Sequence, residues 1–273
     1  MLISIVIPAW NEETRLIPVL NGIRSYGDAM FGCGEYEVLV VDDGSRDRTV
    51  AVVNALAADW LELHLISLPE NRGKGAALRT GCVNARGELI LMYDADGATP
   101  IEQEAVLRSE LTERSDIHLA MGIRYRNDSD VTMGVIRRSL GCLFADCASL
   151  VVGRRCADTQ CGFKMIRRQT VLPIVRQCRE NGYTFDVELL AATHRLGFGV
   201  CECSISWTAM TGSKVSVWRD GATMLWRLAV IRLRQMSGVF EQSATGPEQI
   251  FVPPSVNGGQ FLRSADLERA RHD

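Results

Sequence analysis

Short, nearly continuous apolar runs alternate along the first half of the chain with longer stretches whose apolar residues recur at helical spacing. The runs LISIVIP (2–8), EVLVVD (37–42), LHLISL (63–68), ELILMYD (88–94) and IHLAMG (117–122) are the strands this pattern predicts. Most lack polar alternation, as expected of strands covered on both faces. Helices are expected near 14–25, 47–61, 74–85 and 101–112. Strand and helix in turn at this spacing predict an α/β protein with a doubly wound, mostly parallel sheet. Ligands of such sheets bind outside the carboxyl ends of the strands.

After residue 122 the alternation weakens. A long helix is expected at 134–153, a loop entering a strand at 158–166, and a capped helix at 183–197. A strand at 200–207 and a further helix at 218–236 complete the reading. The expected organisation is one domain over 1–240, with a ligand-binding half (1–122) and a second half carrying amphipathic helices (123–240). Residues 241–273, rich in Gly, Pro, Ser and Gln, are expected to form a flexible tail.

Composition changes this picture little. Hydrophobic content of 47% and charged content of 23% are ordinary for a globular protein. A net charge of −3 gives no reason to expect nucleic acid as a partner. Nine cysteines at scattered spacings, with no CxxC, read as reduced thiols of a cytoplasmic protein. Cys201 and Cys203 are expected on one face of a strand. The opening MLISIVIPAW is too short for a membrane span, as is the apolar run 140–152, so the chain is expected to lie on a membrane at most.

Polar motifs stand just past four predicted strands: PAWNEE (8–13), DDGSRD (42–47), ENRGKG (70–75) and DADG (94–97). In DDGSRD, Asp42 and Asp43 end a strand; they either cap a turn or accept hydrogen bonds from a nucleotide's base or ribose. In NRGKG, Lys74 either opens a helix or reaches a phosphate, helped by helix N-terminal amides. Asp94 and Asp96, two apart, repel each other unless a cation neutralises them. Hard divalent ions, Mg²⁺ or Mn²⁺, take such carboxylates together with substrate phosphates.

The order IVIPAWNEE, VLVVDDGSRDRT, NRGKGAALRTG, LMYDADGATP resembles the inverting family 2 glycosyltransferases of the GT-A fold. In the second half, ADTQCGFKMI, FDVELL, SWTAMTGSK and LAVIRLRQ resemble the dolichyl-phosphate β-glucosyltransferases, which move glucose from UDP-glucose to a polyprenyl phosphate. Eukaryotic members of that group usually carry an N-terminal membrane anchor, whereas this sequence opens on its first strand. The resemblance implies that Pro8, Ala9, Asn11 and Glu12 line a uridine pocket, with Asp43, and Asp42 beside it, on the base or ribose. It places Lys74 at the diphosphate, Asp94 and Asp96 on the metal, and Ala95 between them in the donor site. Asp158, Gln160 and Lys164 are implied near the transferred sugar or the acceptor. Asp96, Asp158, Asp186 and Lys74 are the catalytic candidates. Asp186 and Glu188 lie roughly 200° apart on a helix, so one is expected to face the site and the other the surface.

A lipid phosphate needs positioning more than deprotonation, and arginines do that. Arg124 with Arg137 or Arg138 is the expected grip on the acceptor; a solvated basic face is the alternative. The segment 212–239, with Lys214, Arg219, Arg227, Arg232 and Arg234 beside Trp218 and Trp226, suits a membrane interface. A helix packed on the domain or an oligomer contact explains it equally. The expected place is cytoplasmic, against the inner face of the cytoplasmic or ER membrane. Competing readings are a family 2 transferase with a polysaccharide or soluble acceptor, a sugar nucleotidyltransferase, and an inactive nucleotide-sugar-binding module.

Overall fold

A computed structural model describes residues 1–124, 135–208 and 217–237, with side chains given except at 135–143 and 217–222. The expected tail, and most of the Arg124–Gly134 and SWTAMTGSK segments, lie outside the described residues. The strands are β1 (Ile3–Ala9), β2 (Tyr36–Asp42), β3 (Leu63–Ser67), β4 (Leu89–Met92), β5 (Ile117–Arg124), β6 (Lys164–Arg167) and β7 (Gly199–Ile205). The helices are α1 (Leu16–Met30), α2 (Thr49–Ala57), α3 (Lys74–Asn84), α4 (Glu104–Glu113), α5 (Val135–Val152), α6 (Arg168–Gln177), α7 (Phe185–Arg195) and α8 (Val217–Met236).

The strands form one sheet in the order β3-β2-β1-β4-β6-β5-β7. β1, β2, β3 and β4 pair in parallel, as do β5 and β7. β6 alone is antiparallel to both neighbours, β4 and β5. Its reversal has a positional consequence: Lys164, the first residue of β6, pairs with Met92, the last residue of β4. The loop leading into β6 therefore reaches the same rim as the loops that leave β1, β2 and β4.

Alternate residues of each strand enter opposite cores, as the pleat requires. Val6, Val41, Ile90 and Met92 face a core shared with α3, α6 and α7. Ile5, Ile7, Val40 and Leu91 face a second one shared with α1 and α4. Helix α6 was not expected from pattern, because Pro173 stands inside it and proline ordinarily ends a helix. Burial of Val171, Leu172, Ile174 and Val175 holds it nonetheless.

At the opposite end of the sheet, Glu37 is buried beneath the β1–β2 pair. Its carboxylate accepts hydrogen bonds from the Ser4 hydroxyl (2.5 Å), the Arg86 amide (2.6 Å) and the Arg86 guanidinium (2.7 Å). Burial works to raise this carboxyl, and the three donors outweigh it, holding it below its ordinary 4.5. A lowered folded value means stability that is present above the unfolded value and lost as pH falls through the folded one. Glu37→Gln is therefore expected to cost about 1–3 kcal/mol at pH 7. In urea titrations from pH 7 to 3 the gap to the parent protein should close in acid. A pH-independent gap would contradict this assignment.

Candidate active site

The sheet order reverses direction between β1 and β4, and the polar motifs gather at the carboxyl ends beside that point. The loops after β1 and β2 are tied together. Asn11, in the left-handed region at φ 54, donates its amide to Ser45 Oγ (2.8 Å) and accepts the Arg46 amide at Oδ1 (2.8 Å). Glu12 donates its amide to Thr49 Oγ1 (2.8 Å), and its carboxylate holds Arg15 (2.6 Å). Pro8 and Ala9 close β1 beneath this junction.

Asp42 and Asp43 both accept backbone amides, in different loops. Asp42 accepts the Ser45 amide at 3.3 Å and caps the turn. Asp43, buried, accepts the amides of Arg72 (2.8 Å) and Gly73 (2.7 Å). Burial dominates its titration and raises its carboxyl despite these donors. Asp43 thus locks the β2 loop to the glycine-rich loop ahead of α3. Gly44 is obligatory there, since its φ is 67 and a Cβ would meet Asn71 N at 2.7 Å.

Lys74 opens α3, and its Nζ lies 2.6 Å from Asp94 Oδ1. The expectation that amides at this helix end serve a phosphate is corrected. The amides of Gly75 and Ala76 both donate to the carbonyl of Asn181, at 2.7 and 3.2 Å. The Asn181 loop sits so close that a Cβ on Gly73 would lie 2.4 Å from that same oxygen. Charge at this point therefore comes from the Lys74 side chain.

Asp94 and Asp96 leave β4 in a turn with Gly97 at φ 67. Asp96 Oδ1 accepts the Ala98 amide at 3.1 Å. Ala95 is buried between them, and the Tyr93 hydroxyl pins the turn by donating to the Thr99 carbonyl (2.6 Å). Burial raises the Asp96 carboxyl, with Asp94 adding to it. At Asp94 burial pushes up too, but Lys74 first, then Lys164 and Arg124, bring it below the ordinary carboxylate range. The Asp94 side chain keeps 40% of its exposure, so it is open to a ligand.

On the far side of β4 the second charge pair stands. Arg124, at the end of β5, holds Asp158 through two bonds, Nε to Oδ2 (2.5 Å) and Nη2 to Oδ1 (2.8 Å). The guanidinium also stacks on Trp207, 5.5 Å from the ring centroid. Trp207 is placed by its neighbours: the Ser206 amide donates to Gln103 Oε1 (3.1 Å), and the Thr208 amide donates to the Ala98 carbonyl (2.9 Å). Gln160 is half-buried in the Asp158 loop. Arg137 and Arg138 lie on α5 with side chains outside the described residues.

Three expectations fail here. Lys164 does not reach toward an acceptor: it is wholly buried, with Nζ bonded to the Cys161 carbonyl and to Asp186 Oδ1 (2.7 Å). Asp186, its partner, is buried with it and does not line the open rim. Glu188 is not on the surface. It is fully buried and accepts the amides of Arg179 (2.8 Å) and Glu180 (2.7 Å), with Arg234 of α8 at 3.4 Å. Helical spacing separates two residues around the axis, but α7 is covered nearly all round, so both positions lie inside. Arg234 also pairs with Glu180 at 3.0 Å, so this arginine anchors α8 and is no part of a free basic face.

Sequence reasoning did not single out Gly162, Asn181 or Gln103. Gly162 carried a signal, a glycine inside a run quoted for other reasons; Asn181 and Gln103 act through tertiary contacts that no local pattern announces. The described cysteines are all free thiols, and Cys201 and Cys203 lie 3.8 Å apart on one face of β7, as expected.

The chain resembles known proteins in both sequence and fold. The family model described as glycosyl transferase family 2 matches residues 4–172. A dolichyl-phosphate beta-glucosyltransferase of Trichomonas vaginalis is 37% identical over 79% of this chain and 68% of its own length. The dolichyl-phosphate beta-glucosyltransferase of Saccharomyces cerevisiae is 31% identical over 89% of this chain and 78% of its own. Among solved structures, glucosyl-3-phosphoglycerate synthase of Mycobacterium tuberculosis with Mn²⁺ and UDP-glucose superposes with a TM-score of 0.55. That match has 20% identity over 90% of this chain and 80% of the other.

Proposed function

The chain belongs to glycosyl transferase family 2, and on that premise we propose that it transfers a hexose from UDP-glucose to a polyprenyl or dolichyl phosphate. The product is a β-linked lipid-phosphate sugar. One observation carries this reading beyond the family: the rim holds two separate acid–base pairs, Lys74–Asp94 and Arg124–Asp158, on either side of β4. Each cation is matched to an anionic substrate, the donor's diphosphate or the acceptor's phosphate. The resemblance to the dolichyl-phosphate beta-glucosyltransferases supports the lipid and the glucose.

A divalent ion fits the donor side on the chemistry of its residues. Asp94 and Asp96 offer hard carboxylate oxygens, and Asp94 is partly open. Among the described residues no third His, Cys, Asp or Glu joins them. The remaining oxygens would therefore come from diphosphate and water, as is usual for Mg²⁺ or Mn²⁺. Bound there, the ion would supply Lewis-acid neutralisation of the leaving UDP. Lys74, exchanged from Asp94, turns its ammonium to the diphosphate. Pro8, Ala9, Asn11, Glu12, Asp42 and Asp43 frame the nucleoside end, where Asn11 and Asp43 hold the loops in place.

The acceptor is its own nucleophile. A phosphate monoester has a second pKa of about 6 and is largely dianionic at pH 7. Its oxygen forms the new bond to the anomeric carbon as the bond to UDP breaks on the opposite face, which inverts that carbon. No proton has to be removed. The task left to the protein is to hold the phosphate, and Arg124 does this by exchanging Asp158 for it, with Trp207 fixing the guanidinium plane. Arg137 and Arg138 of α5 are the further candidates for this grip, their side chains lying outside the described residues.

The lipid places the reaction at a membrane surface. Among the described residues no helix is long and apolar enough to cross a bilayer. Helix α8 buries Leu228, Ile231 and Gln235 and exposes Trp226 (67%) and Leu233 (64%) on its other side. These two are seven residues apart, about two turns, and so share a face. Leu150 of the packed neighbour α5 is exposed as well. With Arg232 on the same helix, Trp226 and Leu233 form a peripheral membrane contact on the cytoplasmic side. Trp226→Glu combined with Leu233→Glu should lower binding to anionic vesicles by about 10-fold or more and leave UDP binding unchanged. Undiminished flotation with vesicles would count against this surface.

The direct test of function is product analysis by mass spectrometry, with UDP-glucose, UDP-N-acetylglucosamine and GDP-mannose competing for a short polyprenyl phosphate. A glucosyl-phospholipid with release of UDP is expected. Transfer only to soluble sugars, or release of pyrophosphate, would overturn the assignment.

A further inference from the structure

We propose that the buried Lys164–Asp186 pair is a positioning element for the donor site, holding the Cys161–Phe163 turn as a wall behind Asp94. The inference rests on the donor-site reading above and gives these two residues a role different from acceptor contact or base catalysis.

The wall is tight. A Cβ on Gly162 would lie 2.1 Å from Asp94 Oδ2 and 2.5 Å from its Cγ, so the bare glycine backbone is what the carboxylate rests against. The turn is fixed on three sides. Lys164 Nζ donates to the Cys161 carbonyl and to Asp186. Lys164 is registered against both Met92 and Met121. Phe163 packs edge-on against Tyr93, with ring centroids 5.8 Å apart. Asp186 itself belongs to the first turn of α7, which follows the Asn181 loop that caps α3. One buried pair thereby joins the segment under Asp94 to the segment under Lys74.

The charges alternate across this junction. Lys74 is paired to Asp94, and Lys164 behind the turn is paired to Asp186. A buried ion pair contributes little net stability, and apolar replacements of similar volume are often neutral or better. Its value here is geometric: it sets where the Asp94 oxygens stand and which way they face when the lysine is exchanged for a metal–diphosphate.

Two variants test this by different routes, read as Mn²⁺ affinity in the presence of UDP by electron paramagnetic resonance, not by turnover. Lys164→Met combined with Asp186→Leu removes both charges and leaves neither partner uncompensated. Gly162→Ala leaves the pair intact and pushes on the carboxylate directly. Each is expected to weaken Mn²⁺·UDP binding about 10- to 100-fold, the range for residues that orient metal ligands. Binding of a short polyprenyl phosphate and the melting temperature should stay near those of the parent. Parent-like Mn²⁺·UDP affinity in either variant overturns the proposal, and so does an equal loss of acceptor binding. A parent protein that binds no Mn²⁺·UDP would instead remove the donor-site reading itself, visibly before any variant is compared.

Discussion

Asp94→Ala is expected to lower kcat/KM for UDP-glucose by about 10³-fold, the scale of removing one preorganised electrostatic group from a reacting centre. The expectation comes from the place of this carboxylate in the rim. It is the only side chain with a direct ion pair to Lys74 among the described residues, and it is packed against Gly162 on its other side. Removing it takes away a metal ligand and leaves the Lys74 ammonium without its counter-charge. Binding of Mn²⁺ should weaken in parallel with turnover, and circular dichroism should show the fold intact. Asp96→Ala should follow the same direction. Should Asp94→Ala keep parent-like turnover, the donor side would have to be sought elsewhere on the rim.

The second large effect is expected at Arg124. Arg124→Gln should raise KM for the lipid phosphate by about 10²-fold, since truncating one partner of a desolvated charge pair costs about 2–5 kcal/mol. KM for UDP-glucose should move little, because the guanidinium contacts Asp158 and Trp207 and not the β1 and β2 loops. Asp158 gives a sharper comparison. As an exchange partner for Arg124 it does no proton chemistry, so Asp158→Asn should cost kcat less than about 10-fold. A collapse of kcat with KM preserved would make Asp158 a general base and point to a hydroxyl acceptor. Steady-state kinetics with both substrates varied read all three quantities.

The fold was legible where local pattern decides it. Continuous apolar runs announced β1, β2, β3, β4 and β5, and each predicted loop motif stands at the carboxyl end of its strand. What pattern could not give was the reversal of β6. A run of four residues has no direction written in it; direction follows from which neighbours its hydrogen bonds find. Helix α6 was hidden by Pro173, whose local cost is outweighed by burial of the residues beside it.

The candidate site was legible as a set of residue types and not as a set of partners. Lys74, Asp94, Asp96, Arg124 and Asp158 could be named from spacing and resemblance. That Lys74 meets Asp94, or that Arg124 meets Asp158 across 34 positions, is tertiary information. The errors have the same source. Lys164 and Asp186 look like groups of an open site, and Glu188 like a surface charge, because charged residues are rarely buried unless paired. Their partners, Asp186 for Lys164 and Arg234 for Glu188, lie 22 and 46 positions away. The helix N-terminus at Lys74 misled similarly: its amides looked available until Asn181 was brought against them.

The central claim is an exchange: Asp94 gives up Lys74 when the donor arrives, and both find new partners in it. A crystal structure with Mn²⁺ and UDP, with the ion located by its anomalous scattering, reads this most directly. The expected result is manganese on Asp94 and Asp96, with the Lys74 ammonium moved from Asp94 to a phosphate oxygen. Manganese bound away from both aspartates, with the Lys74–Asp94 pair still closed, would contradict the account.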